Sequence, residues 1–357
     1  MMRSKRAVHQ DAKGWLPLRV ANRGMCCAVG HDARSASAAI AARLNHFCET
    51  QFVSDGGLPI MGAPLYDVPV WGIARRRLML RAVVAEAMRD HLTDMSRTAV
   101  VLLTPPGGSA GAPGSDLSWL LASSDDGDVK SSWHPASRVC PYGKGGIAEA
   151  LQACAALLQA GHPQVQWVVL AASDSLLDAA MIEALLARTR VATKTNADGL
   201  IPGEGAAALL LSAQPASTSG ESLWIESAAG TEDVWRIDGD EPMRAVALTQ
   251  AMRQAAERVD LTVADLDFHA SGMTGESWYA KETSMALSRA LDRRKPEFPH
   301  EMIARAAGET GAASPVLTLA WLAECMADPM GGLGRAGLAH FAASEGRRSA
   351  MVVRMRA

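Results

Sequence analysis

Short apolar runs alternate with longer Ala- and Leu-rich segments along the first half of the chain. The runs have the length of strands, whereas the longer segments have the length and composition of packed helices. Alternation of this kind predicts a layered α/β fold, and runs that are apolar on both faces predict a sheet covered by helices on both sides. The predicted elements are strands 98–104, 166–173 and 206–212 and helices 146–161 and 176–189.

A second series of elements follows and repeats the order of the first. It consists of helix 242–259, strand 265–271, helices 276–292 and 315–328, and strand 347–356. The two series share no residue-level repeat, so the order of elements alone indicates a duplication. A polar connection rich in Ser, Pro and Gly, 212–223, marks the seam, and we predict two halves, 1–215 and 216–357.

Composition and charge exclude several classes of function. The 35 Lys and Arg residues nearly balance the 38 Asp and Glu residues, and a net charge of −3 provides no field to attract nucleic acid. No apolar run approaches the ~18 residues of a membrane span, and the first residues lack the apolar core of a signal peptide. We therefore expect a cytoplasmic protein that binds neither nucleic acid nor membrane.

The cysteines and histidines give no metal signature. The six cysteines are scattered, which favours reduced and mostly buried thiols, and no histidine spacing matches a metal site. The glycine-rich stretch 198–211 is not a phosphate loop, because the Lys and Ser or Thr that such a loop requires are absent. We expect no cofactor and no metal.

Two residues near predicted strand ends are candidates for catalysis. Cys140 precedes a glycine-rich entry into helix 146–161, and a thiol at a helix N-terminus ionises more readily. The glycines place the start of that helix near 146, however, so Cys140 is either a reactive thiol or a buried structural one. His269 lies near the carboxyl end of strand 265–271, where an imidazole can donate to a carbonyl or exchange a proton, and where a structural histidine is an equal alternative.

A third candidate lies in the stretch "AAGETGAASPVLTLAWL" (306–322). Ser314 and Pro315 predict an N-cap and a first helical residue, so 308–313 form the loop that approaches the helix. Glu309 then lies near the positive end of the helix, which favours its ionised form. It is either a catalytic base or an anchored loop carboxylate.

Four blocks together resemble the β-ketoacyl-ACP synthase branch of the thiolase-like superfamily. The first, 23–47, is similar to the opening strand, turn and helix, and "DGLIPGEGAAALLL" (198–211) is similar to the D-G-x-x-x-G-E-G-A strand. "FHASGMTGES" (268–277) resembles the H-G-T-G-T segment, and "GETGAAS" (308–314) resembles the G-H-x-x-G-A-A-G segment. The resemblance implies a duplicated five-layer α-β-α-β-α sandwich with mixed sheets, usually in a homodimer.

The resemblance also implies which residues would act. Active members hold an acyl group on a Cys at a helix start and use two His residues for decarboxylative condensation with a malonyl thioester. Here His269 matches the first histidine and Glu309 stands at the place of the second, where a carboxylate repels the developing enolate. Counting back from Gly161 places the expected nucleophile near Lys144, about one helical turn after Cys140.

These departures predict a degenerate active site and a binding or accessory role. The stretch 57–77 resembles thiolase-like proteins encoded beside type VI secretion effectors, so a secreted effector is one expected partner, together with acyl carrier protein or acyl-CoA. An alternative is an acyl-thioester transferase or 3-oxoacyl-ACP synthase of fatty acid biosynthesis, with Cys140 as nucleophile, His269 as acid or base, and Glu309 as base. A third possibility is a structural subunit that pairs with an active synthase.

Overall fold

The first half of the molecule is built on strands and helices that alternate. A computed structural model describes residues 15–89, 95–106, 133–159, 165–216, 220–328 and 332–357. The elements of the first half are β1 (Leu18–Cys27), α1 (Ala33–Ala41), β2 (Cys48–Val53), β3 (Pro59–Gly62), α2 (Gly72–Met88), β4 (Thr98–Leu103), β5 (Arg138–Cys140), α3 (Ile147–Leu158), β6 (Trp167–Ser175), α4 (Ala179–Ala187) and β7 (Glu204–Ser212).

The second half repeats this alternation without the small β2–β3 hairpin. Its elements are β8 (Ser222–Glu232), α5 (Val246–Glu257), β9 (Phe268–Ser271), α6 (Ser277–Ala290), β10 (His300–Glu301), α7 (Ala304–Ala307), α8 (Ser314–Cys325), β11 (Ala336–Ala342) and β12 (Arg347–Arg356). None of the helices in the described ranges has the length and apolar character needed to cross a bilayer.

Within the described residues, ten strands form one mixed sheet in the order β10-β9-β11-β12-β8-β1-β7-β6-β4-β5. Reading outward from the centre, β1-β7-β6-β4-β5 and β8-β12-β11-β9-β10 have the same pattern: two antiparallel pairs followed by two parallel pairs. The two halves meet where β1 pairs with β8 at Leu18↔Ile225 and Arg19↔Trp224. The matching topology agrees with the duplication inferred from element order, whereas the boundary at residues 215 and 216 stays a prediction.

Helices cover both faces of each half of the sheet and give five layers. Helix α2 packs on β1, β6 and β7 from one outer side, and α5, with α6 against it, packs on β8 and β12 from the other. Helices α3 and α8 lie between the halves, and their buried residues form one core with strands of both. This is the predicted α-β-α-β-α sandwich.

The predicted elements are present with shifts of a few residues at their ends. Strands 98–104 and 206–212 correspond to β4 and β7, which are buried along their whole length, and helix 146–161 corresponds to α3. One cap was predicted wrongly: α8 begins at Ser314, and its N-cap is Ala313. The reason is that Gly311–Ala313 already form a 3₁₀ turn, so the backbone is helical before Ser314 is reached.

Candidate functional site

A glycine turn positions Lys144 at the start of α3. Gly143 has a φ of +61°, in the left-handed region that favours glycine. Its carbonyl accepts a hydrogen bond from the Gly146 amide at 3.1 Å, which closes a 3₁₀ turn over Lys144–Gly146. The helix then begins at Ile147, close to the predicted start, and the Lys144 side chain reaches into the interior, where 11% of it is exposed.

The backbone of Glu309 is held against the segment that leads into β7. Its amide donates to the Ile201 carbonyl at 2.8 Å, and its own carbonyl accepts from the Gly203 amide at 2.9 Å. A Cβ at Gly203 would lie 2.1 Å from the Ala307 carbonyl oxygen, so glycine is what permits this close approach. Two of the blocks that carry the family resemblance therefore meet at Glu309.

Lys144 and Glu309 form a buried ion pair in this site. The Lys144 Nζ contacts Glu309 Oε2, and only 5% of the Glu309 side chain is exposed. The ammonium also donates to the Gly272 carbonyl at 3.4 Å, and Glu309 Oε1 accepts from the Gly311 amide at 2.8 Å. Tyr279 lies beside the pair, with its ring centre 5.5 Å from Nζ. Both charged groups are thus committed to partners within the protein.

A second buried carboxylate, Asp174, lies at the end of β6. Its Oδ2 accepts from the Ala312 amide at 2.8 Å, and Arg76 lies 3.9 Å from its Oδ1. Burial raises the pKa of Asp174 to about 6, although the Ala312 hydrogen bond and the Arg76 charge oppose this effect, and the Glu309 charge adds to it. The turn that precedes α8 thus binds two carboxylates through neighbouring amides.

Two cavities flank the ion pair, and Glu309 lines both of them. The first has a volume of about 410 Å³ and also reaches Lys144 and Asp174. The second has a volume of about 400 Å³ and lies on the side of Gly275 and Gly308. The first is walled mainly by apolar side chains from α4 and its neighbours: Leu176, Ala180, Met181, Ala184, Leu185 and Leu200.

Cys140 lies apart from this site. It is the last residue of β5, is 4% exposed, and belongs to the core around α3. Burial raises the pKa of its thiol to about 11, because the Arg138 charge only partly offsets the loss of solvation. Cys140 lines neither of the two cavities, and within the described residues no hydrogen bond joins it to His269.

Among the described residues, no hydrogen bond or ion pair joins His269 to Lys144 or Glu309. His269 lies within β9, is 4% exposed, and contacts two further histidines, His300 and His340. Burial, together with the neighbouring His300, lowers the pKa of His269 to about 3, so the imidazole is neutral at physiological pH. Of the three predicted site residues, the structure places only Glu309 beside the cavities.

The residues of this site could be predicted from the sequence only in part. The count back from Gly161 indicated the neighbourhood of Lys144, but the lysine itself was not predicted to be part of the site. Asp174 and Tyr279 were missed altogether. Asp174 follows an apolar strand at its carboxyl end, a position where side chains of an α/β sheet commonly reach a site, and this was the available signal.

The chain has the thiolase-like fold that ketosynthases share. No family profile matches the chain, and no curated protein matches its sequence, so this conclusion rests on comparison with solved structures. The matches cover nearly all of this chain but share few identical residues with it. At such identities the likeness establishes the fold alone.

Three of the similar structures show how far the likeness extends. A ketosynthase in complex with its type II polyketide acyl carrier protein matches 95% of this chain and 99% of its own, with a TM-score of 0.75 and 13% identity. A ketosynthase domain of Streptomyces albus matches 95% and 75%, with a TM-score of 0.77 and 14% identity. A ketosynthase with its chain length factor from Xenorhabdus doucetiae matches 96% and 98%, with a TM-score of 0.70 and 12% identity.

Proposed function

We propose that this protein is a ketosynthase homologue that binds acyl groups or a partner protein without catalysing condensation. The observation that carries the proposal is the Lys144–Glu309 ion pair at the start of α3. The family resemblance assigns a cysteine thiol and a histidine imidazole to this part of the fold. The ion pair therefore stands where an active enzyme requires a nucleophile and a neutral proton donor.

The chemistry of the pair opposes each step of condensation. An ammonium that is held by a carboxylate has no free electron pair, so Lys144 is not a nucleophile in this state. A carboxylate at Glu309 would raise the energy of an enolate formed beside it, because two negative charges would face each other in a site with little water. Such a site can neither attach the acyl group covalently nor stabilise the carbanion.

The cavities support a binding role. The first cavity has an apolar wall and a volume of about 410 Å³, which suits a medium-length acyl chain. Glu309, one member of the ion pair, lines both cavities. A ligand in either cavity would therefore meet a carboxylate that is already paired with Lys144.

The partner is proposed by analogy with the similar structures. One of them is a complex with an acyl carrier protein, and another is a complex of a ketosynthase with a chain length factor. We propose that this chain likewise binds an acyl carrier protein, an acyl-CoA or an active synthase subunit. The link to type VI secretion, with a secreted effector as partner, stays a prediction from the sequence.

Intact-protein mass spectrometry tests the proposal directly. The protein is incubated with octanoyl-CoA, and we expect its mass to remain unchanged, because Cys140 is buried as a thiol and Lys144 is paired. Formation of an octanoyl adduct that disappears in Cys140→Ser, but persists in the matched control Cys154→Ser, would overturn the proposal. That result would instead establish the alternative, an acyl-thioester transferase that uses Cys140.

A further inference from the structure

Three histidines lie side by side on one face of the sheet. His300 of β10 pairs in register with His269 of β9, and His340 of β11 pairs with Ser271, two residues further along β9. Side chains of directly paired residues point to the same face, and residues two apart on one strand share a face. The three imidazoles are therefore neighbours, although His269 and His340 are separated by 71 positions in the sequence.

The nitrogen atoms of the three rings converge. One nitrogen from each ring lies within 4.8 Å of the corresponding nitrogen of the other two. His269 Nδ1 lies 3.2 Å from His340 Nε2, close enough for one ring to donate a hydrogen bond to the other. A tetrahedral ion with Zn–N bonds of ~2.0–2.1 Å separates its ligand nitrogens by about 3.3 Å. Two of the three imidazoles thus already have the spacing that such an ion requires.

The third imidazole needs a rotation to join them. The His300 ring stacks on His269 with a centre-to-centre distance of 4.0 Å and an angle of 16°, so the in-plane lone pairs of these two rings run side by side. His300 is less buried than the other two histidines, which allows its ring to turn. Ser271 Oγ lies 2.7 Å from His300 Nε2 and can hold the ring or a fourth ligand in place.

The chemical surroundings favour a transition metal over a hard cation. Neutral imidazole nitrogens are preferred ligands of zinc and similar metals, whereas magnesium and calcium prefer oxygen ligands. The nearby Arg305 charge opposes a cation, so the site is expected to bind less tightly than sites with anionic ligands.

We propose that His269, His300 and His340 form a site for a zinc-like divalent transition metal that holds the edge strand β10 to β9 and β11. Its role is structural, since the cluster is separate from the Lys144–Glu309 pair and lines neither of the two cavities. The proposal is independent of the function proposed above.

Metal titration of the full chain, without a histidine tag and after chelator treatment, tests this site. Cobalt(II) serves as the probe because tetrahedral coordination by nitrogen gives visible absorption bands, and zinc serves as the competitor. We expect one Co²⁺ per chain, displacement by Zn²⁺, and a rise in the melting temperature of about 3 °C in excess Zn²⁺. Failure of the wild-type chain to bind Co²⁺ or Zn²⁺ stoichiometrically would overturn the proposal.

Two variants locate the ion. His300→Gln replaces the least buried ligand and should lower Co²⁺ affinity at least tenfold, whereas His46→Gln, at an exposed histidine, should leave affinity unchanged. Circular dichroism confirms that each variant is folded. Stoichiometric binding that is undiminished in folded His300→Gln, or that is lost in His46→Gln, would contradict the assigned ligands.

Discussion

Lys144 and Glu309 stabilise each other in a part of the protein with little access to water, so neither can be replaced alone without cost. The amide of Gly311 and the carbonyl of Gly272 complete the hydrogen bonding of the pair. Removing one member leaves the other as a buried, unpaired charge, which costs more than the pair itself contributes to stability. The two positions should therefore behave as one unit in mutational experiments.

Lys144→Met tests this coupling. We expect the free energy of unfolding to fall by about 2–3 kcal/mol, because Glu309 loses its counter-ion while remaining buried. The double variant Lys144→Met/Glu309→Gln should be more stable than Lys144→Met, since the uncompensated charge is then gone. Urea unfolding of Lys144→Met, Glu309→Gln and the double variant measures the coupling, and additive effects would show that the two side chains do not interact.

Asp174 predicts a specific pH dependence. Its pKa in the folded protein is about 6, against an ordinary value of 3.8, so the native state binds the proton more tightly than the unfolded state does. The contribution of Asp174 to the free energy of unfolding is therefore smallest above pH 6, and it increases as the pH falls from 6 towards 3.8. Between pH 7.5 and pH 5, the wild type should gain about 1 kcal/mol relative to Asp174→Asn.

Urea unfolding at the two pH values measures this difference. Asp55→Asn, at an exposed aspartate, is the matched control and should show the same pH dependence as the wild type. If the stability of Asp174→Asn follows that of the wild type at both pH values, Asp174 does not have the raised pKa on which the prediction rests.

At the scale of elements, the close approach of α2 to β1 fixes the outer layer of the first half. A Cβ at Gly24 of β1 would lie 2.1 Å from the Val83 carbonyl oxygen of α2, a distance at which the helix or strand would have to move. The same helix packs on β6 and β7, so a shift at Gly24 disturbs contacts along this whole face. Glycine at this position is therefore a packing requirement.

Gly24→Ala should lower the free energy of unfolding by about 2–3 kcal/mol, as expected for an overpacked core. Gly56→Ala is the control, because a Cβ there meets nothing within 4 Å, and its effect should stay within ~0.5 kcal/mol. Chemical denaturation measures the free energy of unfolding of both variants and of the wild type. Equal stability of Gly24→Ala and the wild type would mean that α2 does not approach β1 as described.

The sequence predicted long elements better than short ones. Strands such as β4 and β7, which are apolar on both faces, and helices such as α3 gave clear patterns. The edge strands β5 and β10, of three and two residues, are too short for any periodicity to show. The histidine cluster was invisible for a related reason, since its members come from three strands whose pairing only the fold reveals.

At the scale of the whole molecule, the five layers place the start of α3 and the turn before α8 at the junction of the two halves. This arrangement explains why the site could be predicted in part. Glu309 lies in a block with a recognisable motif, whereas Lys144 and Asp174 enter the site through the packing of α3 and β6 against that block. The role of Cys140 stays a prediction: its position before a helix resembles that of a nucleophile, and the structure places it at the end of β5 in the core.

The homodimer expected from the family resemblance stays a prediction. Among the described strands, β5 is at one end of the sheet order, and the backbone groups of an edge strand can pair with a second chain. Light scattering coupled to size-exclusion chromatography should therefore give a mass near twice the 37.7 kDa of the chain. A mass equal to that of one chain would contradict the dimer and favour a subunit that awaits a different partner.

The release of carbon dioxide from a malonyl thioester, measured with and without an acyl primer, tests the central claim most directly. We predict that the wild-type protein releases carbon dioxide no faster than a protein-free control, because in the proposed function the Lys144–Glu309 pair replaces the nucleophile and the neutral proton donor. Sustained turnover by the wild type, abolished in Cys140→Ser and retained in Cys154→Ser, would show that the protein is a condensing enzyme after all.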